Sequence, residues 1–192
     1  MSMPCDFFLE TERLYFRRFR AEDAQLLFEL DSDPEVMRFI TKGRPTPLAQ
    51  IQNEIILRFL DYYILVPPQG FWAAHLRQTD DFIGWFHLRP NKTWPGEMEL
   101  GYRLKRNVWG RGLATEGSRA LLEEAFNAWN YEKVCAHSLA GNLASRRVME
   151  KVGLVFECDF FYDANVFPER TNEEECRAVK YSISRTQFLE IF

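Results

Sequence analysis

The sequence predicts an α/β (α+β) domain on a mixed, mostly antiparallel central sheet of about seven strands flanked by helices. Three observations predict it. Strand-like runs separated by short turn-like segments follow one another directly between Phe71 and Lys105. Beyond Gly112 the apolar spacing changes from strand-like to helical, and helical and strand-like segments then alternate. The chain has 192 residues, 46% hydrophobic and 27% charged, which suits one domain over residues 1–192 with its core over about 9–184.

Thr11 to Phe19 reads as the first strand, and Arg20-Ala21-Glu22-Asp23 opens a helix ending near Asp31. Asp33-Pro34 is an N-cap followed by proline at the first helical position; Thr46-Pro47 repeats that device before a longer helix reaching about Tyr63. Leu48, Ile51, Ile55, Phe59 and Tyr62 recur there every three or four residues, so one face is buried, and Pro67-Pro68-Gln69-Gly70 stops the helix. Phe71 to Arg77, Phe82 to Leu88 and Met98 to Lys105 are strands, divided by Gln78-Thr79-Asp80-Asp81 and by Pro90-Asn91-Lys92 with Trp94-Pro95-Gly96. After Gly112, a helix of about 16 residues carries Ala114, Gly117, Leu121, Ala125 and Ala128 on one face and Glu116, Arg119, Glu123 and Asn127 on the other. Lys133 to Ser138 returns to strand, Leu143 to Val152 is a helix stopped by Gly153, and Leu154 to Tyr162 and Cys176 to Ser184 are the last strands.

Lys+Arg 24 against Asp+Glu 28 gives a net charge of −4, which argues against a nucleic-acid binder that works by neutralising phosphates. No apolar segment approaches the roughly 20 residues of a membrane span, and the opening residues carry no basic run before an apolar stretch. Cys5, Cys135, Cys158 and Cys176 are scattered, without metal-ligand or redox spacing, so no metal is expected and a reducing cytoplasm fits best. Aromatics are the outlier at 15%, more than a core of this size usually needs, so some are expected to line a pocket or an interface.

The most informative stretch runs from Met98 to Glu116. A strand leads into Gly110-Arg111-Gly112, which opens a helix, so free backbone N–H groups and the positive helix end can converge on an anion such as a pyrophosphate. The alternative is a tight turn that binds nothing. A Walker loop needs Gly-Lys-Ser/Thr, which is absent. A dinucleotide fingerprint needs a third glycine and an acidic residue about 20 positions on. Thr115 stands in the third place and Val134-Cys135-Ala136-His137 offers no carboxylate, so NAD binding is not supported.

The stretch resembles the coenzyme A pyrophosphate loop of the GNAT acetyltransferases, Gln/Arg-x-x-Gly-x-Gly/Ala: Gly112 and Ala114 match the last two positions, and Trp109 occupies the first in place of Gln or Arg. Asn142-Leu143-Ala144-Ser145 through Glu150-Lys151-Val152-Gly153-Leu154 resembles the family's Asn-x-x-Ser helix ending in Glu-Lys-x-Gly-Phe, with Leu154 for Phe. Thr11-Glu12-Arg13-Leu14-Tyr15-Phe16-Arg17, Asp33-Pro34-Glu35-Val36-Met37 and Glu99-Leu100-Gly101-Tyr102 resemble the branch containing ribosomal-protein alanine acetyltransferases. The likeness runs from Leu9 to about Ser184.

The resemblance implies the GNAT fold and acetyl transfer from acetyl-coenzyme A, as co-substrate, to a primary amine: a protein N-terminal α-amine or a small-molecule amine. It implies a ternary complex without a covalent enzyme intermediate. It further implies that the backbone around Leu104 and Arg106 pairs with the pantetheine arm and that Trp109, Gly110, Arg111, Gly112, Leu113, Ala114 and Thr115 receive the pyrophosphate. Arg111, Arg146 or Arg147 then add charge, or are solvated surface residues. Asn142 reads as the N-cap of its helix, and the resemblance implies a pantetheine contact there; the two can hold together. Ser145 is the position expected to protonate the departing thiolate, which needs only modest help at a thiol pKa near 8.5.

A lysine-like acceptor needs roughly 4 to 5 kcal/mol to deprotonate at pH 7, a peptide α-amine only about 1 to 1.5. Glu99 leads as the base, directly or through water, against the reading of a surface carboxylate on an alternating strand; His87 is the rival. A catalytically weak coenzyme A-binding or sensing module, suggested by Trp109, and an interaction domain with an aromatic surface are the alternatives. The acidic balance mildly suits a cationic acceptor. Acceptor choice is expected to lie with the Pro47 to Tyr63 helix, the Asn91 to Gly96 and Asp163 to Glu175 segments, and aromatics among Tyr62, Tyr63, Trp72, Trp85, Phe86, Trp94, Phe160, Phe161 and Tyr162. Neither nucleic acid nor membrane is an expected partner, and monomer and homodimer both stay open.

Overall fold

In the computed structural model, which describes residues 7–163, 166–167, 170 and 172–191, eight strands form one sheet in the order β1-β2-β3-β4-β5-β6-β8-β7. The strands are β1 Phe7–Glu10, β2 Leu14–Arg18, β3 Gly70–Leu76, β4 Phe82–Pro90, β5 Met98–Leu104, β6 Lys133–Leu139, β7 Val155–Phe161 and β8 Arg177–Ser184. Every neighbouring pair is antiparallel except β5 and β6, which run parallel. The strand beyond the expected seven is β1, whose four residues are too few to show an alternation. Cys5 lies outside the described residues, as do positions 164, 165, 168, 169 and 171 of the Asp163 to Glu175 segment.

The helices are α1 Ala24–Asp31, α2 Pro34–Met37, α3 Leu48–Gln50, α4 Ile56–Leu65, α5 Leu113–Glu123, α6 Leu143–Lys151 and α7 Arg185–Ile191, with a π turn, Ile51–Ile55, joining α3 to α4. Asp33 caps α2 as expected, its carboxylate accepting the Glu35 N–H at 2.9 Å. Thr46 does not cap α3. Pro47 is itself the cap residue, and the Thr46 hydroxyl instead donates to Asp31 at 2.8 Å, tying this helix to α1. No helix among the described residues is long and apolar enough to cross a membrane.

Strand alternation divides the apolar side chains between two layers. Leu14, Phe16, Phe86, Leu88, Leu100, Val134 and Val179 pack with Leu121 of α5, with Ala125 in the π turn that continues it and with Met149 of α6. Phe71, Ala73 and Phe82 pack on the opposite side with Leu27 of α1, Ile51 and Phe59. Two of the expected pocket aromatics belong to the first layer: Trp72, stacked on Phe8 with centroids 4.4 Å apart, and Phe86 are fully buried.

Gly117 sets how closely α5 lies on the sheet. A Cβ at this position would stand 2.5 Å from the Phe86 ring and 3.0 Å from Phe16, both core side chains with no room to retreat. Overpacking of this kind costs about 1–3 kcal/mol. Gly117→Ala is therefore expected to lower unfolding free energy by about 2 kcal/mol in urea titrations, without changing the slope.

Candidate active site

The sheet is incomplete at its parallel junction. β5 follows β4 along its whole length but meets β6 only where Met98 faces Val134 and Glu99 faces Cys135. From there the two strands run on to Leu104 and Leu139 without pairing each other. Each therefore turns a row of backbone N–H and C=O groups into a gap, and such groups need partners. A crevice at the carboxyl ends of strands, where the topology changes direction, is where open sheets take ligands.

At the far end of β5 the glycine loop is fixed from both sides. The Trp109 indole N–H donates to the Leu104 carbonyl at 2.9 Å, and Arg13 donates to the Arg111 carbonyl at 2.9 Å. Arg13 also bonds Glu116 at 2.6 Å, and the Thr11 hydroxyl reaches the same carboxylate at 2.6 Å. Partial burial opposes ionisation of Glu116, but the Thr11 and Arg13 bonds outweigh it and hold the carboxyl below its usual range. Gly110 and Gly112 have φ of 72° and 80°, in the left-handed region that disfavours side chains. With Gly112 as the cap residue, no side chain caps α5, and the N–H groups of Leu113, Ala114 and Thr115 come before Glu116, the first to donate within the helix, to the Gly112 carbonyl at 3.0 Å. The loop thus presents these N–H groups at the start of α5, and Trp109 anchors it to β5.

Across the gap, Asn142 caps α6, accepting the Ser145 N–H at 3.2 Å. The Ser145 hydroxyl lies 3.5 Å from that of Tyr102, so these two residues span the opening between α6 and β5. Burial pushes Tyr102 up to about 12, against a small opposing effect of the Ser145 bond. Tyr102 was not singled out as a site residue; its parity with Leu100 and Leu104 was the available signal. The Arg106 side chain turns to Asp33 at 3.2 Å, and its carbonyl accepts the Trp109 N–H at 3.1 Å. Arg146 is committed to Tyr181 and the Ala140 carbonyl, while Arg111 and Arg147 are exposed.

Glu99 points to the opposite face. There the register sets Arg89 against Glu99, His87 against Gly101 and Trp85 against Arg103. Arg89 bonds Glu99 at 2.9 Å and donates to Nδ1 of His87 at 3.1 Å. A guanidinium only donates, so Nδ1 carries the lone pair and Nε2 the proton. Burial, then Arg89, holds His87 well below its usual pKa, so its 4.0 Å approach to Glu99 is not an ion pair. With its lone pair occupied, His87 is poorly placed as a base. Glu99 is pushed up by burial, which Arg89 only partly offsets. Cys135, beside Glu99, has its thiol raised to about 12 by burial and its sulfur held by Asn91 at 3.0 Å, so it is no nucleophile at neutral pH.

The aromatics on this side fall into two groups. Trp94 is packed edge-on against His137 and Phe160 beneath the buried Lys180 ammonium, 4.4 Å away, which is itself paired with Glu97 at 2.8 Å. Trp85, Tyr62 and Tyr162 are partly open.

The profile described as an acetyltransferase (GNAT) domain matches residues 13–155 of the chain. The chain belongs to the GNAT acetyltransferases. It is 32% identical over 191 residues to the FsC-acetyl coenzyme A-N(2)-transacetylase of Aspergillus fumigatus, covering 95% of this chain and 78% of that protein. An aminoglycoside acetyltransferase solved with coenzyme A shares the fold, with a TM-score of 0.72, 21% identity and coverage of 92% of this chain and 98% of that one. The ribosomal-protein-S5-alanine acetyltransferase of Vibrio fischeri shares it too, at TM-score 0.71, 15% identity and coverage of 93% and 96%. The GNAT chain is thus an acetyltransferase of a family that uses acetyl-coenzyme A as co-substrate for the acetylation of amines. The gap, with unpaired strand edges on both sides and unspent N–H groups at one end, fits a long amide-bearing thiol ester with an anionic terminus.

Trp109→Phe keeps the ring and deletes one hydrogen bond, worth about 1 kcal/mol. It is expected to weaken coenzyme A binding about fivefold by calorimetry.

Proposed function

We propose that the chain is a single-domain N-acetyltransferase that moves an acetyl group from acetyl-coenzyme A to a primary amine by direct attack in a ternary complex. The parting of β5 from β6 beside Glu99 is the observation that carries this reading. When bound, acetyl-coenzyme A supplies an activated acyl carbon and a thiolate leaving group. The backbone of Leu104 and Arg106 and the side chain of Asn142 hold its arm, and Trp109 to Thr115 hold its pyrophosphate. The branch containing ribosomal-protein alanine acetyltransferases is the part of the family proposed for it, supported by the opening residues and Glu99-Leu100-Gly101-Tyr102.

Glu99 and the Tyr102–Ser145 pair lie on opposite faces of the sheet, which divides the labour. Glu99 takes one proton from the amine as the C–N bond forms and the C–S bond breaks. Its raised pKa makes it a stronger base than an ordinary carboxylate, which suits this task. Ser145 meets the departing sulfur and passes it a proton from solvent. Tyr102, at about 12, cannot usefully surrender its own proton to a thiolate of pKa near 8.5, so it donates a hydrogen bond to Ser145 and frees that hydroxyl's proton to point outward. Cys135 supports direct attack, because its protonated thiol cannot carry the acetyl group.

Glu99→Gln is expected to lower kcat/KM about 100-fold or more in a free-thiol assay while coenzyme A affinity stays unchanged. The wild-type acid limb should lie above the ordinary glutamate pKa of 4.5, since activity falls as pH drops through the raised value. Cys135→Ala should stay within about threefold of wild type, with no acetyl-enzyme in the mass spectrum after quenching. A coenzyme-sensing module would instead bind acetyl-coenzyme A tightly and release no thiol with any amine, whatever stands at position 99.

A further inference from the structure

The face that carries Glu99 has a charge opposite to that of the whole chain. Arg89 and Arg103 project from β4 and β5, Lys92 follows in the next turn, and Arg58 of α4 stands over the same face, close enough to act on His87. The carboxylates meeting these four cations are Glu99, on Arg89, and Asp31, on Arg103 at 2.5 Å. Two cations thus remain unbalanced in a protein of net charge −4. These two are Lys92 and Arg58, and the paired Arg103 also keeps donors that the fold does not use. Asp31 engages only one terminal nitrogen of Arg103, whose side chain stays 19% exposed. Arg58 is exposed and makes no ion pair among the described residues, although Glu54 and Asp61 lie about one turn away along the chain.

We propose that the acceptor is an amine whose own molecule carries an anionic oxygen group, a carboxylate in the simplest case, received by Arg58 and Arg103 while its nitrogen meets Glu99. This rests on the acetyl-transfer reading and names the acceptor class at the same site. Guanidinium donors match a carboxylate edge-on with two parallel bonds, a geometry a second ammonium cannot exploit. The same cations disfavour the ammonium form of any amine brought beside Glu99, so recognition of the anionic group and release of the amine proton draw on one field. Trp85, with the Arg103 guanidinium 5.2 Å above its ring, holds that side chain in place. A polyamine or an aminoglycoside would carry its extra positive charge into this cluster.

The test compares binding first, because neutralising a carboxylate also changes the pKa of the neighbouring amine. Phenylalanine, leucine and serine, each against its own carboxamide, are titrated by calorimetry into protein saturated with coenzyme A, with spermidine as the polycationic probe. The expected result is at least tenfold tighter binding of the carboxylates, a ratio below threefold in Arg58→Ala and a reversed preference in Arg58→Glu, with coenzyme A affinity unchanged in both exposed-site variants. Carboxamides or spermidine binding as tightly as the carboxylates would overturn the proposal, as would failure of all three pairs to bind. If the carboxylates bind selectively but acetyl-coenzyme A then yields no acetylated product, the acetyl-transfer reading fails while the anion site stands.

Discussion

The constraint on which the rest of this structure depends is that β5 and β6 pair for two residues and then part. A fully zipped sheet would satisfy both strands and leave no place for a ligand between them. Because the strands separate beside Glu99 and Cys135, their remaining backbone groups face an opening in the plane of the sheet, reachable from two sides. Side-chain alternation then does the sorting: Leu100, Tyr102 and Leu104 turn toward α5 and α6, and Glu99, Gly101 and Arg103 turn toward α1–α4. The proposed base and the Tyr102 and Ser145 hydroxyls are thus separated by the sheet itself.

Keeping such an opening in shape requires ties that do not cross it. At one end Arg13 and Thr11, from the turn between β1 and β2, grip Glu116 in the first turn of α5, and Trp109 fastens the loop to β5. On the other side Asn142 fixes the start of α6. Beyond Glu99, the buried Lys180 with Glu97, Glu157 and Trp94 closes the turn that follows β4. These groups hold walls in position, which leaves the N–H groups of Leu113 to Thr115, the exposed Arg58 and the partly exposed Arg103 side chain on the surfaces where ligands are proposed to bind.

How much of this was legible in the sequence follows from range. The glycine loop, the Asn142 cap and the helix after Gly112 are local signals, since left-handed φ, capping and apolar period act within a few residues. The partnership of Arg89 with Glu99 needs the β4–β5 register, and Tyr102 with Ser145 needs the docking of α6 across an unpaired strand; neither leaves a mark in the sequence around it. Thr46 shows the local rule overruled, its hydroxyl spent on Asp31 and not on the helix end. The aromatic surplus proved mixed, with Trp72 and Phe86 in the core, Trp94 locked by its neighbours, and Trp85, Tyr62 and Tyr162 partly open. Net charge is equally coarse, because −4 over the chain says nothing of the cations gathered around Glu99. One fold that serves proteins named for an FsC N(2) group, an aminoglycoside and a ribosomal-protein alanine could not have settled that point either.

Backbone hydrogen exchange with and without coenzyme A addresses the central claim most directly, since it reads the strand edges themselves. The account predicts slowed exchange at amides of Leu100 to Leu104, Ala136 to Leu139 and Gly110 to Thr115, with β2 and β3 unchanged. Protection confined to any other part of the sheet, or none along β5 and the loop, would contradict it.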